Sequence, residues 1–430
     1  MPPRPDNPPM HPKPLVDLAT ELAQRVLLFS APADSVVSGF FREHRALGTR
    51  ERHTLAETAY HLLRHRSVLE HLAQTGRGPR ARRLALLAWQ GGNAAYLKAA
   101  LSPDEQAWLE HVATIDRSQL PERLRLNLPE WLAERLQAQL GDHFLPVVAA
   151  LEQPAPLDLR VNTFKARREA VLAELAQLGH AAEATPFSPW GVRLGGKPAL
   201  HKVELFLRGD VEVQDEGSQL LALLTDAHRG EMVADFCAGA GGKTLALGAA
   251  MRNTGRLYAF DTSGHRLAAL KPRLARSGLS NVYPIQIAHE RDERIKRLAG
   301  KLDRVLIDAP CSGLGTLRRN PDLKWRQTPE SVAELVAKQT AILASAARLL
   351  KPGGRLVYAT CSLLREENEA VAEAFSGAVE REFEVLPAAQ ALERAGAGQA
   401  ETLVEGPFLR LWPDRHATDG FFAAVWQRRA

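Results

Sequence analysis

The sequence predicts an α/β protein whose C-terminal half is a doubly wound parallel sheet, preceded by an all-helical region and a small α+β unit. From Gly217 onward the short, β-rich apolar runs MVADFC, RLYAFD, VYPIQI, DRVLID and GRLVYATC are mostly separated by helical stretches, the pattern of strands joined by crossover helices. The first of these runs ends in the glycine-rich turn DFCAGAGGKT, which opens a helix. From Leu15 to about Leu120, by contrast, the apolar spacing is helical and no β-like alternation occurs.

Taken in order, the first 14 residues contain seven prolines and no apolar h-region, so they read as a disordered leader rather than a signal peptide. Residues 15–120 read as a helical bundle: in TLAETAYHLLRHRSVLEHL, Leu55, Ala59, Leu62 and Leu69 form one stripe, and GRGPRARR and WQGGN separate helices. Residues 121–210 read as the α+β unit. There LPEWLAERLQAQLG predicts a helix with Pro129 in its first turn and Gly141 at its stop, and LDLRV, WGVRL and VELFLRGDVEVQ predict strands around a helix ending at Gly179. Residues 211–430 form the doubly wound domain, with a helix from Thr328-Pro329 to Leu350 closed by KPGG and a last strand in GFFAAVWQ.

The composition, 45% hydrophobic and 24% charged, is that of an ordinary globular protein, and no apolar run is long enough to span a bilayer. Three cysteines with no CxxC pair argue against a disulfide framework and for a reducing cytoplasm. Eleven of the 14 histidines precede Gly230, and the rest show no metal-ligand spacing with the cysteines, so no metal site is predicted. The net charge is +5, and residues 1–90 alone hold 13 Lys+Arg against 8 Asp+Glu. A solvated helix face is one reading of that surplus and a phosphate backbone is the other.

The glycine turn has three nucleotide readings. A dinucleotide fingerprint starting at Gly239 needs glycine where Thr244 stands, and a P-loop ending at Lys243-Thr244 needs glycine where Cys237 stands. S-adenosylmethionine needs tight glycines without a pyrophosphate cradle, and a carboxylate at the end of the next strand for the ribose hydroxyls. The segment Cys237, Ala238, Gly239, Ala240, Gly241, Gly242 and Lys243 supplies the first, and Asp261, 19 residues past Gly242, supplies the second.

LIDAPCSG and YATCSLL end consecutive strands, which brings Asp308, Cys311 and Cys361 to the same edge as the glycine turn. A buried cysteine is commonly inert packing. Three thiols at the ligand edge of one sheet instead suit a reaction in which sulfur adds to an electron-poor carbon and is later expelled. Sheet geometry alone leaves Cys311 and Cys361 equivalent.

The series DFCAGAGGKT, LIDAPCSG, RRNPDLKW, YATCS followed by EEN, and DGFF resembles the motifs of RNA cytosine-C5 methyltransferases. The helical region followed by the α+β unit resembles the bacterial 16S ribosomal RNA enzymes of the RsmB (Sun) type, which implies a NusB-like first domain and an RRM-like second one. The resemblance implies that Cys361 attacks C6 of the base, that Cys311 helps remove the C5 proton, and that Asp308 holds the base or the methionyl end of S-adenosylmethionine. Lys243 and the helix N-terminus are the candidate sources of positive potential for the thiolate. Small-subunit ribosomal RNA would be the substrate, with no obligate protein partner and no membrane. Arg318, Arg319, Lys324 and Trp325 lie in a loop suited to phosphate contact and base stacking, and a core anchor for the loop is the equal alternative for Trp325.

Two departures stand out. Ala238-Gly239-Ala240-Gly241-Gly242-Lys243 lacks the proline of the family's A-A-P-G-G-K. After the third strand, where the family places an acidic residue against the adenine, Ala288 and His289 occur, and Asp292 lies further on. The rival readings are a tRNA or other rRNA cytosine methyltransferase, an RNA-binding assembly factor with an inactive catalytic domain, and a thiol hydrolase using His265 or His289.

Overall fold

The computed structural model describes residues 10–91 and 94–430, which form two compact units. One comprises the chain up to Glu152 together with a returning segment, Leu317–Thr328; the other comprises Gln153–Thr316 and Pro329–Ala430. Among the described residues no helix is long and apolar enough to cross a membrane.

The helical unit begins earlier and ends later than its sequence pattern suggests. Its first helix is Pro12–Val26, with proline in the first turn where a missing N–H leaves nothing unpaired, so it starts inside the span read as a leader. Residues 1–9 of that span lie outside the described residues. Helices Ala33–Glu43, Thr49–Arg64, Arg66–Ala73 and Arg80–Leu87 follow, and the stripe Leu55, Ala59, Leu62 and Leu69 is buried in their shared core with Leu22 and Phe40. Glu130–Leu140, which stops at Gly141 with φ of 54°, and Phe144–Leu151 belong to this unit rather than to the α+β one.

The returning segment follows the core-anchor reading of Trp325. The last carbonyls of helix Thr49–Arg64 have no partner along the helix. Trp325 Nε1 donates to Leu63 O at 2.7 Å and Lys324 Nζ donates to Arg64 O at 2.8 Å. The indole also lies under the Arg66 guanidinium, 5.0 Å from the ring centre. Arg64 donates in turn to Arg318 O at 2.7 Å, and Asp322 accepts from the N–H of Ala33 at 3.1 Å. Lys324 is only 4% exposed, and burial pulls its pKa down to about 7 against the opposing charge of Glu152. Arg318 is buried and Arg319 half-buried. The segment is therefore a strap that caps a helix, and the short-range sequence pattern of basic and aromatic residues could not distinguish a capping partner from a nucleic-acid one.

In the other unit, β1 (Leu157–Val161), β2 (Ala182–Ala184), β3 (Gly191–Leu194) and β4 (Val211–Val213) form an antiparallel sheet in the order β2-β3-β1-β4, with helices Arg168–Gln177 and Glu204–Leu207 between strands. Glu204–Leu207 corrects the expected strand over VELFLR. The chain must pass β1 to reach its far side, and one helical turn makes that crossing while burying Leu205. β4 pairs with β1, so this sheet extends past residue 210.

The large sheet contains β5 (Met232–Asp235), β6 (Arg256–Asp261), β7 (Val282–Gln286), β8 (Leu302–Asp308) and β9 (Leu350–Thr360), all parallel, in the order β7-β6-β5-β8-β9. Four further strands follow in sequence: β10 (Phe383–Leu386), β11 (Val404–Glu405), β12 (Phe408–Leu411) and β13 (Phe421–Arg428). β13 runs antiparallel beside β9 and also pairs with β10 and β12. Helices cover both faces, which is why β5, β8 and β9 read as nearly unbroken apolar runs. Helix Pro329–Ala347 stops short of KPGG, which β9 takes in at its irregular start, with Gly353 at φ of 76°.

Because Trp325 supports a helix end, Trp325→Phe should lower stability by about 1 kcal/mol through loss of the Leu63 hydrogen bond. RNA affinity should remain unchanged. A shifted urea midpoint with wild-type RNA binding is the expected pair of results; unchanged stability with weakened binding would restore the stacking role.

Candidate active site

β5 lies between β6 and β8, so the crossovers from it diverge and leave a crevice at the carboxyl ends of the strands. Three aspartates end three of these strands: Asp235 on β5, Asp261 on β6 and Asp308 on β8. Each is held differently.

Asp261 organises the glycine turn. Its Oδ2 accepts from Gly239 N at 2.8 Å and its Oδ1 from Ser263 N at 2.7 Å, which fixes the carboxylate at the mouth of the turn. Gly239 has φ of 56°, and a Cβ there would meet no atom within 4 Å, so bare backbone faces open space. Gly241, at φ of 85°, is glycine for a second reason: a Cβ would fall 2.1 Å from Leu270 Cδ1. Left-handed backbone at both positions explains how the turn forms without the family's proline. The cofactor expected here fits these groups, since ribose hydroxyls are donors and the Asp261 oxygens retain lone pairs to accept them.

Asp235 sits under the turn. Its Oδ2 accepts from the Thr244 hydroxyl at 2.6 Å, while Oδ1 is buried without a partner among the described residues. Burial, and then the nearby Asp308, drive its pKa up to about 7. Cys237 packs against the core, and burial pushes its thiol well above the ordinary range. It belongs to the turn as a small apolar side chain.

Asp308 faces Lys243, with Oδ2 2.7 Å from Nζ. Burial alone would lower the lysine's pKa, but Asp308, with help from the Cys361 thiol, raises it instead. The cation is thus held at the crevice beside the cysteines. Cys311 Sγ and Cys361 Sγ are 3.4 Å apart. The hydrogen bond with Cys361, followed by burial, pushes the Cys311 thiol well above the ordinary range. Either sulfur can be the donor in this contact, and the surroundings favour the thiol form of Cys311.

Other residues brace the site without having shown in the sequence. Arg160 on β1, fully buried with a pKa pulled down to about 10 by burial, donates to Gly242 O at 2.6 Å and to Gln214. Arg273 donates to Ala240 O at 2.7 Å and pairs with Glu212 of β4. In LDLRVN an arginine reads as the outward residue of a half-buried strand, and only the packing of the small sheet against the turn reverses that. Asp292, considered for the adenine, accepts from Ala288 N and Arg294 N, both at 2.9 Å, and caps the turn of helix Glu293–Lys296. The strap residues Arg318, Arg319, Lys324 and Trp325 belong to the helical unit.

A glycine turn that offers bare backbone and a strand-end carboxylate meet at the switch point of a doubly wound sheet, and the similarities that follow make this an S-adenosylmethionine-dependent methyltransferase. Residues 222–427 match the family described as 16S rRNA methyltransferase RsmB/F, and residues 128–201 match the ferredoxin-like domain of RsmF/B-like methyltransferases. The chain belongs to the RsmB/F family. It is 36% identical over 312 residues to the "Probable ribosomal RNA small subunit methyltransferase B" of Synechocystis sp., covering 72% of this chain and 69% of that one. A Bacillus subtilis protein of the same description is 32% identical over 70% of this chain and 66% of its own. Among solved structures, a methyltransferase homologue from Pyrococcus horikoshii aligns with a TM-score of 0.61 at 31% identity, over 74% of this chain and 100% of that one.

The raised pKa of Asp235 has a stability consequence. Between the unfolded value of 3.8 and about 7 the folded state holds a proton that the unfolded chain has released, so the stabilisation present below pH 4 is lost as pH rises through 7. Asp235→Asn keeps an acceptor for Thr244 and removes the titration. Its denaturation midpoint should gain on wild type from about pH 4 to 7 and run parallel above; a pH-independent difference would refute the burial argument.

Proposed function

We propose that the protein transfers a methyl group to C5 of one cytosine in 16S ribosomal RNA through a covalent bond between Cys361 and C6. The observation that carries this reading is the pair of sulfurs 3.4 Å apart beside the Lys243–Asp308 pair. Unmodified cytosine is a weak carbon nucleophile, and the base has to leave the RNA stack to reach this crevice. The Cys361 thiolate adds to C6; the C5=C6 pair shifts toward C4, and N3 receives the displaced pair and a proton. Asp308 holds N3–H and the amino group, and C5 becomes the nucleophilic end of an enamine.

S-adenosylmethionine, when held by the 237–243 turn and Asp261, supplies the electrophilic methyl carbon. With Cys361 converted to a thioether, the main cause of Cys311's raised pKa is gone, and Cys311 can release its proton to water. Its thiolate then takes the C5 proton. The C5–H pair re-forms C5=C6, the C6–Sγ bond breaks with its electrons on Cys361, and N3 gives up its proton. The ferredoxin-like domain and the basic helical unit are the parts suited to positioning a structured RNA.

Labelled S-adenosylmethionine with purified protein should methylate small-subunit RNA at one cytosine, mapped by bisulfite sequencing. Label confined to tRNA would overturn the substrate, and failure to bind S-adenosylmethionine would favour an assembly factor. Cys311→Ala should accumulate a protein–RNA adduct on denaturing gels and Cys361→Ala none; the opposite pattern would exchange the roles.

A further inference from the structure

Cys311 and Cys361 are each followed by a serine, and both serines converge on one buried carboxylate. Glu367, with no exposed surface, accepts from Ser312 Oγ at 2.6 Å and from Ser362 Oγ on Oε2. Its Oε1 accepts from Ser312 N at 2.8 Å and Gln339 Nε2 at 3.0 Å. The serine hydroxyls are also 3.1 Å from each other, and Gln339 Nε2 reaches Pro310 O at 2.9 Å. Four donors therefore meet the two oxygens of one side chain, which lies six residues beyond Cys361 and 56 beyond Cys311 in the chain.

Both turns have anchors besides this carboxylate, and on the Cys311 side Ala309 N donates to Ala359 O at 2.8 Å. The Cys361 turn has other anchors: Cys361 O accepts from Gly315 N at 2.8 Å, and Ser362 O accepts from Asn368 Nδ2 at 2.9 Å. Arg410, itself buried, donates to Leu363 O at 2.7 Å. Around Cys311, Glu367 takes both the backbone N–H and the hydroxyl of Ser312, and the Gln339 amide that holds Pro310 O is bound to Glu367 as well.

We infer that Glu367 is a positioning residue that keeps Cys311 against Cys361, and that it serves the release step rather than the attack. The inference rests on the assignment of Cys361 as nucleophile and Cys311 as the group that takes the C5 proton. Glutamine at 367 would turn an NH2 toward either the Ser312 and Gln339 N–H groups or the two hydroxyls. The hydroxyls can accept from that NH2, but the bonds then lose the carboxylate's charge, so the link that holds the two turns together weakens. Proton removal depends on placement to within about an ångström, so release should slow on the order of tenfold to a hundredfold. Addition needs only Cys361 placed against C6, whereas release needs Cys311 placed against the adduct on Cys361, so addition should change far less.

The test combines Glu367→Gln and Ser312→Ala with Cys311→Ala as reference, reading single-turnover methyl transfer, multiple turnover and denaturing-gel adducts on the same RNA. Expected is near-wild-type single-turnover transfer, slowed turnover, and a methylated adduct in Glu367→Gln, with a weaker form of the same pattern in Ser312→Ala. Addition of Cys361→Ala to Glu367→Gln should abolish the adduct. Parallel loss of transfer and turnover without adduct in both variants, while Cys311→Ala accumulates it, would reduce Glu367 to a structural residue and overturn the inference alone. No adduct in Cys311→Ala would overturn the assignment beneath it, and the inference with it.

Discussion

The site depends on one feature of the sheet, the parallel ladder between β8 and β9. It holds to the last residue of β8, with Asp308 opposite Ala359, and it is extended by Ala309 N donating to Ala359 O at 2.8 Å. Both chains therefore leave the sheet at one level, and three residues past Asp308 and two past Ala359 the sulfurs meet. A slip of one residue would move a strand by about 3.3 Å and turn its side chains to the opposite face. Burial of both faces of the central strands excludes that slip, so the contact between two cysteines 50 residues apart is fixed by hydrophobic packing far from either thiol.

The same edge gathers three aspartates around one lysine, a concentration of negative charge that would oppose a thiolate. The structure relieves it in three different ways. Asp261 is satisfied by backbone N–H groups, Asp235 is buried until it holds its proton near neutrality, and Asp308 is paired with Lys243. Removing an ammonium from water is costly, and the pair recovers that cost only if both charges stay together. Lys243 is therefore a cation fixed in place beside the sulfurs, and this is the electrostatic condition that thiolate chemistry at neutral pH requires.

What the sequence made legible was everything encoded within a few residues of itself. The five parallel strands, the glycine turn, Asp261, Asp308 and both cysteines sit on strand–turn units whose apolar runs and glycines are local signals. Lys324 and Trp325 stayed ambiguous because a basic residue beside an aromatic looks the same whether it meets a phosphate or a helix end. Arg160 gave no usable signal, and Glu367 showed only as part of the EEN that follows YATCS, without a role. The role of each is set by partners on other elements, Gly242 for one and Ser312 for the other, and no spacing along the chain encodes them. The β4 boundary was displaced for a related reason, since a three-residue strand is defined by the partner it pairs with.

The strap also changes what counts as a domain in this chain. Leu317–Thr328 leaves the catalytic unit soon after the Cys311 turn and rejoins it at Pro329, yet its order comes from the helical unit, where it supplies donors to the carbonyls of Leu63 and Arg64. A cut at Glu152 would therefore not separate two independent pieces. The catalytic piece would retain an indole and a lysine whose partners had been removed, and the helical piece would retain a helix end with unpaired carbonyls. Both halves would lose hydrogen bonds that only the intact chain can make. The twelve-residue excursion couples the stability of the helical unit to the chain segment that also carries the Cys311 turn.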